Sequence, residues 1–377
     1  MAETSDSAEP GGGRLAVPHQ STAGRLTWGG MFQWSALGAA GLVALCLALV
    51  LLMNPYGNLP TGIAARHVIM DINQRFQYPA LARSGQFDSV VIGTSTARLL
   101  EPARLDRVLG GTWANLAMND ARAFEQSELF ALYLRAVPAP RAVLVGLDSV
   151  WCREEADTDT TTRRGFPTWM YDDDPWNDWP NMLNTTTVDI AGRQAFYWLG
   201  AVPARVGHDG YEVFVPPESE YDAAKARQHI WGRRGGAIVP VDPPYQANTA
   251  ERTGWRFPAL TWLQERLESL PPTTLKLLVF MPVHVAKQPI PGSLPAAKEA
   301  ECKERIDALA RRFSAHLIDY RITSDLTRTD SNYWDGLHYR VGIAARVVDD
   351  LGGAVARGPA ASDGTWLYRA GPMSHGG

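Results

Sequence analysis

Three residues far apart in the chain have the types and settings for nucleophilic catalysis. Ser95 closes an apolar run, Asp88-Ser-Val-Val-Ile-Gly-Thr-Ser95, and a helix-compatible pattern follows. This spells a strand, a sharp turn and a helix start, with the hydroxyl beside unpaired backbone N–H groups that favour a developing anion. The same placement suits a helix N-cap, for which serine is preferred on structural grounds alone. About 240 residues later, Asp335 and His338 stand three apart just before an amphipathic run over 341–351. An aspartate there can orient the imidazole while the other ring nitrogen faces Ser95, which supplies nucleophile, base and orienter together. The alternative is Asp335 as a cap and His338 as a first-turn surface histidine.

A Gly-x-Ser turn after the first strand, Gly93-Thr94-Ser95, with Asp-x-x-His near the end of the chain resembles the SGNH hydrolase superfamily of esterases and acyltransferases. The closer resemblance is to its membrane-anchored branch related to the alginate O-acetylation proteins. Asn115-Leu-Ala-Met-Asn119, Val145-Gly-Leu-Asp148 and Met281-Pro-Val-His284 support that branch. The likeness covers about residues 87–150 and 272–352, not the middle. It implies Ser95 as nucleophile, His338 as general base and Asp335 as orienter. It also implies an oxyanion hole built from the Ser95 backbone N–H, that of a glycine after the second strand and an asparagine side chain after the third.

Two positions depart from that pattern. Asp120 stands at or near the expected glycine, and Asp148 replaces the asparagine. An aspartate backbone N–H still donates, whereas an ionised side chain cannot, so Asn119 becomes the candidate side-chain donor. Gly93, Asn119, Asp120, Asp148 and His284 are therefore the candidate oxyanion and substrate-binding residues. His284 is also a rival base, or a loop histidine bonded to backbone.

The elements that must position these groups follow from periodicity. Apolar runs at 89–93, 112–118, 142–147, 275–281 and 316–320 alternate with helical patterns at 97–108, 121–136, 260–270 and 296–313. Continuous apolar strands between helices imply an α/β fold, a doubly wound, mostly parallel five-stranded sheet covered on both faces. Such sheets bind ligands at the carboxyl ends of their strands, where the candidate residues fall.

Residues 1–33 are rich in Ser, Gly, Ala and Pro and are expected to be a disordered tail. Residues 34–53 are 20 without a charge, long enough to span a bilayer. A cleaved signal peptide and a buried soluble helix are the alternatives. The late start and the Leu-Leu-Met-Asn-Pro ending favour an uncleaved anchor. Arg14 and Arg25 before it, against Arg66 after it, lean towards a cytoplasmic N-terminus and an exported domain. A helical linker over 54–86, the SGNH-like domain over 87–352 and a flexible tail over 353–377 complete the expected order.

Residues 151–270 interrupt the alternation and hold eight of the thirteen tryptophans. An aromatic, polar insertion overhanging the crevice suits sugar rings, although large aromatics more often pack a core. The acids Asp172–Asp174 lack the spacing of a known Ca²⁺ loop, and there is no Cys/His cluster of metal-ligand spacing. Cys152 and Cys302 are the one pair outside the apolar segment, and their spacing does not say whether they meet. A net charge of −4 gives no basic field for nucleic acid.

The sequence thus predicts an enzyme without cofactor or metal, a Ser-dependent O-acyltransferase or esterase. It would act on O-acyl groups, acetyl first, of a cell-envelope or exported polysaccharide. The resemblance implies a bacterial inner-membrane protein with its domain in the periplasm, served by a multi-spanning membrane protein that delivers the acyl group. A non-catalytic glycan-binding or assembly factor that keeps the fold is the competing expectation.

Overall fold

The computed structural model of the 377-residue chain describes residues 28–58, 68–71, 73–174, 176–232 and 235–371. Most of the expected tail, residues 1–27, and residues 59–67 and 72 of the expected linker lie outside the described residues. The chain divides into two compact units, Met1–Ala48 and Leu49–Gly377.

The helix α1 (Trp28–Met53) starts before the expected anchor and is, among the described residues, the helix long and apolar enough to cross a membrane. In the larger unit α2 (Gln74–Arg83) precedes β1 (Ser89–Ile92), and α3 (Pro102–Leu109) leads to β2 (Trp113–Asn115). Then come α4 (Ala123–Ala136) and β3 (Ala142–Leu147). The insertion follows with α5 (Asp178–Met182), α6 (Thr185–Trp198), α7 (Ala223–Trp231), α8 (Thr249–Gly254) and α9 (Ala259–Glu268). The fold closes with β4 (Leu275–Phe280), α10 (Leu294–Arg312), β5 (His316–Asp319), α11 (Asp325–Arg328), α12 (Val341–Arg357) and β6 (Leu367–Ala370).

The strands form one sheet of order β2-β1-β3-β4-β5-β6, parallel except for β6, which runs antiparallel to β5. Successive strand residues face opposite sides. Val90, Val143, Leu278 and Leu317 join a core under α4, α9 and α10. Val91, Leu144, Leu277 and Ile318 join another under α3 and α12. Because both faces are covered, the strands carry unbroken apolar runs.

The expected mostly parallel sheet of five strands is therefore corrected to a mixed sheet of six, β6 being the added antiparallel strand, and the expected flexible tail from 353 to structured chain as far as 371. The glycines that suggested a tail serve packing. A Cβ on Gly352 would lie 2.3 Å from a methyl of Val108, so glycine lets α12 close on α3. Ala344, Val347, Val348, Leu351 and Ala354 bury that helix's inner face. Beyond it Trp366 is buried and draws β6 onto the sheet edge.

A second correction concerns the turn after Ser95. No helix starts there: residues 95–100 form successive tight turns, and α3 begins at Pro102. Proline is pre-set for the first helical position and disfavours helical backbone just before it. The carbonyls left over are satisfied by one buried side chain. The two N–H groups of Asn115 Nδ2 are shared among Ala97 O, Arg98 O and Leu100 O, at 2.9–3.2 Å.

Candidate active site

The carboxyl end of the sheet opens into a crevice of about 610 Å³. The strand order changes direction around β1, whose neighbours are β2 and β3, and such a reversal opens a crevice between the loops that follow. Thr94, Ser95, Asn119, Asp120, Asp148, Val283, Arg321 and His338 all line it.

Ser95, His338 and Asp335 come together there. Ser95 Oγ lies 3.0 Å from His338 Nε2, and His338 Nδ1 lies 2.7 Å from Asp335 Oδ2. The other Asp335 oxygen accepts the Leu337 and His338 backbone N–H groups at 2.7 and 2.9 Å, which fixes the loop that bears the ring. Burial works to raise the Asp335 carboxyl. The hydrogen bond and charge of His338 and the two backbone donors outweigh it and hold the group at about 2. Tyr339 donates its hydroxyl to Thr96 O, tying the histidine loop directly to the serine turn. Phe214, from the insertion, stands edge-on to the His338 ring at 5.3 Å between centroids.

Gly93 is required for close approach. A Cβ there would meet the Ala97 Cβ at 2.8 Å, and one on Gly146 of β3 would meet the same methyl at 2.8 Å. The serine turn therefore sits down on the sheet between two strands. Asp120 has φ +53°, a left-handed conformation that favours glycine. That explains why a glycine is expected at this position, and an aspartate tolerates the conformation better than most residues.

Asn119 is held from three sides. Its backbone O accepts from Arg75 at 3.1 Å, its N–H meets Gln74 Oε1 at 3.4 Å, and its Oδ1 accepts from Arg98 at 2.8 Å. Because an arginine only donates, the amide oxygen is committed and the NH₂ is the end left for a ligand. Arg98 is itself buried, bonded to Glu212 at 2.5 Å and set over the Phe214 ring at 4.7 Å. Arg75 is locked in a fully buried pair with Glu125 at 2.8 Å.

Asp148 is used differently. Its carboxylate accepts the Thr94 hydroxyl and, at 3.1 Å, the Val150 N–H. Burial raises its pKa, and Arg321, Thr94 and Val150 offset that only in part. His284 stands apart from the crevice lining. It is fully buried, Nδ1 accepts from Ala286 N–H at 3.2 Å, and Nε2 faces Arg328 O at 3.3 Å and Asp330 at 3.1 Å. Burial lowers its pKa against the opposing pull of Arg328 O and Asp330, which favours the neutral ring. Its backbone N–H donates to Gly336 O at 3.0 Å, so it braces the loop between Asp335 and His338.

The insertion brings Arg153, Arg164 and Phe214 to the crevice, and none of its tryptophans lines it. Trp151 is buried, and Trp169 packs on Tyr56 and Phe76. The expectation of a tryptophan platform over the crevice is replaced by a cationic rim. Arg321 falls after the fifth strand at the ligand-binding edge, where sequence assigns it no role; two residues beyond β5, it is 6% exposed with its Nε unpartnered. Sequence reading also passed over Arg98 and Phe214, which no motif marks.

Cys152 and Cys302 form a disulfide that joins the start of the insertion to α10. Among the described residues no cluster of His, Cys, Asp or Glu could hold a metal ion. No family model matches the chain, and no curated protein matches it.

Proposed function

We propose that the chain is a serine-dependent acyl-transfer enzyme, an O-acyltransferase or esterase working through Ser95, His338 and Asp335. The observation that carries this is the unbroken hydrogen-bonded series from Ser95 Oγ through the imidazole to Asp335. Ser95 attacks the ester carbonyl as its proton passes to His338 Nε2, and Asp335 stabilises the imidazolium that forms. Collapse of the tetrahedral adduct returns that proton to the leaving alkoxide and leaves acyl-Ser95. A hydroxyl of the acceptor, or water, then reverses the steps. Asn119 Nδ2 with the Ser95 and Asp120 backbone N–H groups is the donor set for the oxyanion.

The substrate in this reading is an O-acyl, first of all acetyl, group on a cell-envelope or exported polysaccharide. A hydrophilic acceptor suits a crevice lined by Arg122, Arg153, Arg164, Lys287 and Arg321 better than an aliphatic chain does. The resemblance to SGNH acyltransferases favours transfer over hydrolysis and a separate multi-spanning donor protein. The apolar α1 and the disulfide, a bond that persists in oxidising compartments, support an inner-membrane anchor with the domain in the periplasm.

A second reading, glycan binding without turnover, draws on Asp148, an acceptor where the resemblance expects a donor. Acetate release from an activated acetyl ester separates the two. Turnover that disappears in Ser95→Ala and His338→Ala supports the enzyme. An intact protein that releases no acetate supports the binding factor.

A further inference from the structure

The insertion exposes a segment that nothing in acyl transfer requires. Residues 196–204, Phe-Tyr-Trp-Leu-Gly-Ala-Val-Pro-Ala, contain no charge and no side-chain amide, and every one of them is exposed. Leu199 is 79% exposed and Phe196 57%. An uninterrupted apolar surface of this kind on a folded domain marks an interaction site. The segment has a defined turn: just past α6, Gly200 takes φ +73°, and Ala201 N–H closes back on Phe196 O at 2.9 Å. This is the left-handed glycine cap that stops a helix sharply. Arg193 and Arg205 bracket it, but each faces a carboxylate, Asp189 at 2.7 Å and Glu212 at 3.7 Å, which leaves the apolar surface itself to make the contact.

Its base is bonded to the stretch of chain that follows the apolar helix. Tyr56, three residues beyond the end of α1, bonds through its hydroxyl to Thr187 of α6 at 3.1 Å. Gln194 donates to Val68 O at 3.1 Å, and Arg205 N–H to Ile69 O at 2.9 Å. The last residues of α1 belong to the globular unit, with Val50 and Met53 in its core. The exposed segment is thus held at both ends by Val68 and Ile69, and the helix that carries it is bonded to Tyr56, three residues past α1.

We propose that residues 196–204 are a membrane-surface anchor that inserts into the headgroup region of the bilayer in which α1 resides. Tyr197 and Trp198 are the side chains that favour that boundary, and Phe196, Leu199 and Val202 supply the apolar contact beneath it. The role of the contact is to fix the domain against the bilayer, so that the crevice meets its acyl donor in a restricted set of orientations. The proposal rests on the reading of α1 as a membrane span.

The test uses the full chain with Cys46→Ala, which removes the free thiol, reconstituted in vesicles of phosphatidylethanolamine and phosphatidylglycerol. An environment-sensitive fluorophore is placed by Leu199→Cys, or by Val239→Cys at an equally exposed site elsewhere, or by Leu45→Cys within α1. The Leu199 label is expected to emit blue-shifted light and to be quenched several-fold more by headgroup spin-labelled lipid than the Val239 label. A Leu199 label in water while the Leu45 label is in lipid overturns the surface anchor alone. A Leu45 label in water overturns the membrane span and the anchor with it. A blue shift without lipid quenching overturns the bilayer as occupant and assigns the face to protein contact.

Discussion

Two carboxyls serve the crevice, Asp148 in its lining and Asp335 behind His338, and their surroundings move them in opposite directions. Asp335 is partly solvated, faces His338 and accepts two backbone N–H groups, and its pKa falls to about 2. Asp148 lies just past the carboxyl end of β3 with one hydroxyl, one backbone donor and the charge of Arg321, and burial pushes its pKa up. The same side chain therefore does two jobs. Asp335 stays charged so that it can hold an imidazolium. Asp148, whose charged form burial disfavours, tethers the start of the serine turn through Thr94. Divergence of this kind is how one site assigns its acid–base roles.

The sharpest way to break this contrast is to disable the catalytic series that Asp335 supports. Ser95→Ala and His338→Ala are each expected to lower kcat by about 10³-fold or more, with the double variant no worse than either, since members of a catalytic unit are not additive. Steady-state ester hydrolysis checks this. Asp335→Asn should cost about 10³–10⁴-fold at unchanged folding, because the wrong ring tautomer is then held towards Ser95. Asp335 also has a pH signature. A lowered carboxyl contributes stability that is complete above the ordinary carboxylate range and is lost as pH falls through about 2. Acid unfolding of the native chain should show that loss, and Asp335→Asn should not.

Asn119→Ala is expected to reduce kcat by about 10²-fold with little change in KM, the usual effect of removing one oxyanion donor. Asp148→Asn sharpens the contrast from the other side and should alter kcat by less than about threefold. A raised carboxyl makes stability fall as pH rises from the ordinary value through the raised one, and the amide removes that dependence. Thermal unfolding at neutral pH should therefore show Asp148→Asn at least as stable as the native chain. A loss of activity as large as that of Asn119→Ala would exchange the two assignments.

Much of this was legible because apolar runs and helical periods are local signals. The strands expected at 142–147 and 275–281 are β3 and β4 almost to the residue, and Asp335 and His338 were marked by spacing alone. What was not legible depended on contacts between distant residues. The turn over 95–100 stays irregular because Asn115 satisfies its carbonyls, and the Gly-Ala stretch after 351 is helical because Val108 lies against Gly352. The disulfide joins cysteines separated by 150 residues, a distance at which spacing has no say. His284 read as a rival base for want of its partners, Arg328 O and Asp330, which turn it into a brace for the catalytic loop.

The most direct test of the central assignment is covalent. The native chain and His338→Ala would each be treated with a fluorophosphonate and digested, and the peptides weighed. A phosphonyl adduct on Ser95 in the native chain, absent from His338→Ala, is the expected result. A folded native chain with no adduct, or with the adduct on another serine, would contradict the account.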